Sequence, residues 1–202
     1  MRVLVVGTLP EAMEHTSEVL RDAGHDVVSC HDLGDRPFPC RGLRGEPCPL
    51  DGDGVDVVVT ARDRAWPSPS PYEDGAACAL RHHVPMVVHG FTSVHPYDAW
   101  ARAESRDDSE LAALVETVAR APLTEHSDLA RATARQVLDA AGLPSDGVDA
   151  VVTRRHARLR VMVTLPPGTE AAESSVSAKV LGALRRLDPD ARGIDLGFTP
   201  AR

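Results

Sequence analysis

The sequence predicts an α/β protein, a small parallel-sheet domain followed by a smaller α+β domain of order αββαβ. Three observations carry that reading. Short Val-rich runs alternate with helical stretches through the first hundred residues. Beyond residue 123 the order changes to helix, two strands, helix and strand. At 202 residues the chain is long enough for two small cores.

Residues 3–6 are a continuous apolar run, as expected of a parallel strand buried on both faces. Pro10 suits the first turn of a helix that ends near Gly24. Residues 27–30 read as a second strand, 55–60 as a third and 86–89 as a fourth, with helical signals over 72–83. This alternation implies right-handed crossovers and an open sheet of the flavodoxin-like or Rossmann-like kind over residues 1–103. One crossover breaks the pattern. Residues 31–54, HDLGDRPFPCRGLRGEPCPLDGDG, have no helical period, although parallel strands normally need a covering helix there. A structureless segment of this length in a compact domain is either functional or disordered. A second irregular stretch, 65–71, carries three prolines and reads as an extended surface arm.

Residues 104–122 are read as an amphipathic connector helix ending before Pro122, and residues 123–202 as the second domain. There Thr124 caps a helix whose inward positions include Leu129, Thr133, Val137 and Ala140, with Gly142 and Pro144 as stop signals. Residues 148–153 and 159–165 read as strands around the turn Arg154-Arg155-His156-Ala157-Arg158. A helix carries Val176, Val180, Leu184 and Leu187 at near-helical spacing, and a short final strand runs through Ile194-Asp195-Leu196.

Composition narrows the function classes. Aromatic residues make up only 3% of the chain, which leaves few platforms for stacking bases. There is one lysine (Lys179), one isoleucine (Ile194), one glutamine (Gln136) and no asparagine, a bias that reads as a GC-rich bacterial genome. Residues 1–122 carry 11 basic and 20 acidic side chains, which argues against nucleic-acid binding there, whereas residues 123–202 carry 11 and 10. No apolar run approaches the roughly 18 residues of a membrane span. The apolar start is too short for a signal peptide and runs directly into Glu11, Glu14 and His15, so the chain is read as cytoplasmic. Thiols are kept reduced in that compartment, which favours metal ligation or free thiols over disulfides.

All four cysteines, Cys30, Cys40, Cys48 and Cys78, fall in the first 80 residues with spacing C-x9-C-x7-C-x29-C. That spacing matches no standard zinc or ferredoxin signature. Their placement is more telling. Cys30 ends the second strand, at the edge where open α/β sheets hold ligands. Cys40 and Cys48 lie in the loop leaving that edge, and Cys78 in the helix after the third strand. Pro39, Pro47 and Pro49 stiffen the loop, and Gly42 and Gly45 permit close backbone approach. The Cys48-Pro49 dipeptide resembles the last ligand of bacterial ferredoxin runs. The expectation is a metal site on all four cysteines, the irregular spacing and the Pro/Gly-rich loop favouring an iron–sulfur cluster over tetrahedral Zn²⁺. The competing reading has Cys30 and Cys78 as small core residues and Cys40 and Cys48 as loop thiols. His31, beside Cys30, and His82, four residues after Cys78, are candidates to replace one thiolate, with weaker signals at His83, His89 and His95.

Gly7-Thr8-Leu9-Pro10 lacks the glycine spacing of a dinucleotide site and the Lys-Ser/Thr ending of a P-loop, and no Gly-x-Ser-x-Gly elbow is present. Asp51, Asp53 and Asp56 read as a solvated turn. The N-terminal strand order resembles a response-regulator receiver domain. That family's acidic residues, acceptor aspartate and lysine correspond here to Gly7-Thr8, to the strand end Val59-Thr60-Ala61, and to no lysine, since Lys179 lies outside the region. The resemblance therefore implies a fold and no phosphoacceptor. Residues from about 123 on, with Val161-Met162-Val163 leading into a long helix, are similar to the alkaline-shock-protein type of domain. That resemblance implies scaffolding or assembly. Arg154, Arg155, Arg158 and Arg160, with Arg185 and Arg186, are a candidate anionic-partner patch or an ordinary edge-protecting charge set. The functional expectation is a cytoplasmic, non-catalytic binding or regulatory protein with a cysteine-ligated site, a redox or metal sensor, whose C-terminal domain engages a protein partner or itself. The alternatives are a small redox or small-molecule enzyme and a metal-free scaffold.

Overall fold

The computed structural model describes residues 1–32, 34–51, 54–155 and 158–200. Asp53 of the acidic turn and His156 and Ala157 of the hairpin turn lie outside them. The chain divides into two compact units, Met1–Ala119 and Arg120–Arg202.

The first unit is built on a five-stranded sheet, all parallel, in the order β2-β1-β3-β4-β5. The strands are β1 (Arg2–Gly7), β2 (Asp26–Val28), β3 (Val57–Arg62), β4 (Met86–Gly90) and β5 (Ala101–Ser105). Between them run α1 (Pro10–Asp22) and α2 (Asp74–Arg81), and α3 (Asp108–Arg120) follows β5. The flavodoxin-like α/β architecture expected from the alternation is the one observed. Strand order reverses between β1 and β3, which places a crevice beyond their carboxyl ends. β3 is buried at every position, Val57 to Val59 as a parallel strand covered on both faces requires, and Thr60 and Arg62 with them.

Each sheet face has its own core. Val3, Val5, Val57 and Val59 pack with Met13 and Leu20 of α1 and Leu111, Val115 and Val118 of α3. The helix expected as a connector thus contributes its apolar face to the first unit's core. On the other face Leu4, Val6 and Val58 meet Ala76 and Ala79 of α2, together with Cys30, Leu50 and Val55 from the β2–β3 crossover. Among the described residues that crossover has no α-helix, only a single 3-10 turn at Gly42–Arg44. Irregular chain therefore covers sheet that a helix would normally cover. β5 was not legible as a strand: Ala-Arg-Ala-Glu-Ser has no β-branched residue, and its charges suit an unpaired sheet edge.

The second unit contains α4 (Thr124–Ala140), β6 (Asp149–Arg155), β7 (Arg158–Leu165), α5 (Glu173–Leu187) and β8 (Gly193–Pro200), the αββαβ order of the sequence. β6 and β7 pair antiparallel, and β8 adds parallel to β7. The buried residues of β6 and β7 alternate and pack under Ala130, Ala134 and Leu138 of α4 and Val176, Val180 and Leu184 of α5. Among the described residues no helix is long and apolar enough to cross a membrane.

Candidate functional site

The end of β2, the crossover loop that follows it and α2 deliver the cysteines to one place. Cys30 lies two residues past β2, Cys40 and Cys48 in the crossover loop, and Cys78 within α2. All four line a single cavity of about 210 Å³, with His31, Phe38, Leu43 and Leu50 among the other walls. The fold thus brings every sequence-predicted ligand to a common cavity. None forms a disulfide: Cys30 is buried, Cys40 and Cys48 are half-buried and Cys78 is exposed. Among the described residues no three cysteine sulfurs lie within 4.8 Å of one another.

Close packing fixes Cys30. A Cβ on Gly75, in the first turn of α2, would stand 2.7 Å from Cys30 Sγ and 2.9 Å from Val6 Cγ1. Glycine is what lets α2 approach this closely. The loop leans on Cys30 too, since Arg41 N–H donates to the Cys30 carbonyl at 2.9 Å. Otherwise the loop is tied by Arg–carboxylate pairs near its surface. Arg41 bonds Asp32, and Arg44 sits 3.3 Å from Asp35 and 3.2 Å from Glu46. Exposed pairs of this kind contribute about 0–1 kcal/mol each, so they order the loop only weakly.

The electrostatics of the cavity oppose free thiolates. Burial pushes the Cys30 thiol up to about 12, and the neighbouring Cys48, Cys40 and Cys78 add to the rise. Burial also raises Cys78, against the pull of Arg81. A reactive-cysteine site does the opposite, lowering the thiol with cations or a helix terminus. A bound cationic group would reverse these costs, because metal ligation deprotonates thiols outright.

The histidines separate. His31 lines the cavity, buried with its ring edge on Tyr72 at 5.3 Å, and burial lowers it so that it stays neutral. His82 caps the end of α2 and is not among the cavity walls. His95 sits with Asp98 and Glu104 in the one trio of candidate ligand atoms, among the described residues, that lie within 4.8 Å of one another. Its hydrogen bonding does not suit a metal. His95 Nδ1 accepts from Tyr97 N–H at 3.1 Å, so the ring proton sits on Nε2 and is donated to Glu104 at 3.0 Å. A metal-bound imidazole donates its second nitrogen's proton, whereas this one accepts.

A second, larger cavity of about 570 Å³ opens at the carboxyl ends of β3 and β4. His15 from α1 and His89 from β4 both contact the Asp108 carboxylate at the start of α3, at 2.8 Å and 2.9 Å. Asp63, just past β3, accepts from Thr8 Oγ1 at 2.5 Å and from Arg64 at 2.7 Å. Little in the sequence announces this group. Its members lie at positions 15, 89 and 108 with no shared motif, and only the place of His89 at a strand's carboxyl end pointed to it.

In the second unit the predicted arginine patch is partly consumed. Arg154 is buried against Asp188, which also meets His126 at 3.2 Å, and Arg158 pairs with Asp195 at 2.7 Å. No protein-family model and no curated protein matches the chain.

Proposed function

We propose that the first unit is a cofactor-holding domain in which Cys30, Cys40, Cys48 and Cys78 ligate an iron–sulfur cluster. The protein is then a cytoplasmic, non-catalytic regulator that responds to redox state or iron supply, and its second unit serves assembly with a partner or with itself. One observation carries this reading: all four cysteines line one cavity, yet no three of their sulfurs lie within 4.8 Å of one another. A tetrahedral zinc ion with bonds of ~2.3 Å draws its sulfurs to within about 3.8 Å of each other. Three thiols never come within 4.8 Å here. A cluster, whose ligands bind separate irons, tolerates that wider spread. The cavity of about 210 Å³ is also far larger than one ion needs, water itself taking only ~30 Å³. The raised Cys30 thiol weighs against an enzyme built on a reactive cysteine.

Anaerobic purification with a visible spectrum and iron, sulfide and zinc analysis tests the proposal. A brown protein with acid-labile sulfide, its colour lost on Cys40→Ser or Cys48→Ser, supports it. Stoichiometric zinc with no sulfide replaces it with a structural zinc site. A metal-free protein with four titratable thiols and an intact fold overturns it in favour of the scaffold reading.

A further inference from the structure

The crevice at the ends of β3 and β4 stands apart from the thiol cavity and shares no lining residue with it. Its volume of about 570 Å³ is in the range of small-molecule sites, ~300–1,000 Å³. Its charged groups come from every element around it. Asp63, past β3, is occupied by Arg64 and Thr8, which hold its carboxyl below the usual range. Asp107 caps α3 through the Ser109 N–H and hydroxyl, both at 2.8 Å. Burial alone would raise the Asp108 carboxyl, but the bonds to His15 and His89 outweigh it and keep it ionised. Both carboxylates that line this space, Asp63 and Asp108, and the neighbouring Asp107 are thus already engaged.

On the positive side Arg62, at the end of β3, is spent on Glu73 and the Trp66 carbonyl, but Arg106 is not. Arg106 lines the crevice, and its one hydrogen bond runs from Nε to Thr92 Oγ1 at 2.9 Å, which leaves the outer guanidinium nitrogens without a carboxylate among the described residues. The carboxylate of Asp108 can only accept, so both imidazoles donate from Nε2. That leaves Nδ1 of His89, a side chain 5% exposed, as a buried polar atom with no hydrogen-bond partner among the described residues. A neutral His89 offers a lone pair there. A protonated one offers an N–H, balanced by the Asp108 charge behind it.

We propose that this crevice binds a small oxyanion ligand, a carboxylate or phosphate compound, with Arg106 as its charge partner and the His15–Asp108–His89 chain taking up a proton on binding. With both imidazoles neutral, Asp108 offsets Arg106 and the crevice has little net charge. Protonating one imidazole makes it cationic and pairs the anion. His15, 61% exposed, connects the chain to solvent, so the proton has a route in. The inference is independent of the thiol site and survives its failure.

Isothermal titration of the full chain with inorganic phosphate and with malonate, at about pH 6 and about pH 8, tests it. The expected result is saturable binding of at least one probe, about tenfold tighter at the lower pH across the histidine range. Repeating the titration in buffers of different ionisation enthalpy should show net proton uptake. Arg106→Gln, at an exposed position, should weaken binding by about tenfold with an unchanged circular dichroism spectrum. Phosphate alone, or malonate alone, assigns the headgroup class. No saturable binding of either probe at about pH 6, equal binding by Arg106→Gln, or affinity that ignores pH each overturns the proposal.

Discussion

Arg62 and Glu73 form an ion pair at 2.6 Å between two side chains wholly withdrawn from solvent. The pair joins the end of β3 to the turn that starts α2, and therefore to the helix that carries Cys78. Around it Ser70 N–H donates to Glu73 at 2.8 Å, Ser70 hydroxyl to the Gly7 carbonyl at 3.0 Å, and Arg62 Nη2 to the Trp66 carbonyl at 2.6 Å. The proline-rich arm is thereby pinned to the crevice end of two strands rather than projecting freely.

Removing one partner of this pair leaves a buried charge. Glu73→Ala is expected to cost about 3–5 kcal/mol in urea unfolding, whereas the double replacement Arg62→Met/Glu73→Leu should recover most of that loss. A single variant less than about 1 kcal/mol below the parent would show that water reaches Arg62 and that the pair is not closed.

Cys30 makes stability depend on pH in the metal-free protein. Its thiol lies at about 12 in the fold against 9.0 for the free group, raised chiefly by burial. A raised group stabilises fully below the unfolded value, and its contribution is lost as pH climbs through the folded one. The window is therefore about 9 to 12. The urea midpoint of the apo protein should fall across that range more steeply than that of Cys30→Ala. Parallel curves for the two proteins would place the alkaline loss elsewhere.

Much of the architecture was legible because it rests on period and punctuation. Val3 to Val6 and Val57 to Val59 announce buried parallel strands, and the helix-free crossover was visible in its prolines and glycines. β5 escaped because an edge strand of Ala, Arg, Glu and Ser carries a charge pattern instead of an apolar one. From sequence the helix after it reads as a connector, because amphipathicity says that a face is buried and does not say against what. The convergence of the cysteines followed from topology, since strand ends and the loops leaving them share one edge. The separation of their sulfurs, and the meeting of His15, His89 and Asp108, depend on tertiary distances that no local pattern encodes.

The second unit has its own buried network, with Asp188 between Arg154 and His126. Asp188→Ala should cost about 3–5 kcal/mol, because it strips the carboxylate from a guanidinium only 5% exposed. His126→Phe, which keeps the Arg154–Asp188 pair, should cost clearly less. Equal losses in chemical denaturation would mean that the imidazole matters as much as the ion pair.

Two glycine-to-alanine changes separate helix propensity from packing. On propensity alone each should stabilise by roughly 0.5–1 kcal/mol. Gly182 in α5 has room, since an added Cβ meets nothing closer than Arg186 Nη1 at 3.7 Å, so Gly182→Ala should realise that gain. At Gly75 the same methyl would press to 2.7 Å on Cys30 Sγ and 2.9 Å on fully buried Val6. Overpacking of this kind costs about 1–3 kcal/mol and outweighs the propensity term. The nearest atom is Cys30 Sγ, so if Cys30 is a ligand the displacement should also reach the cluster. Gly75→Ala is expected to melt earlier and, if Cys30 ligates, to retain less iron and sulfide per chain than Gly182→Ala prepared alongside it. Full iron content with lowered stability would mean that Cys30 moves without consequence and is no ligand.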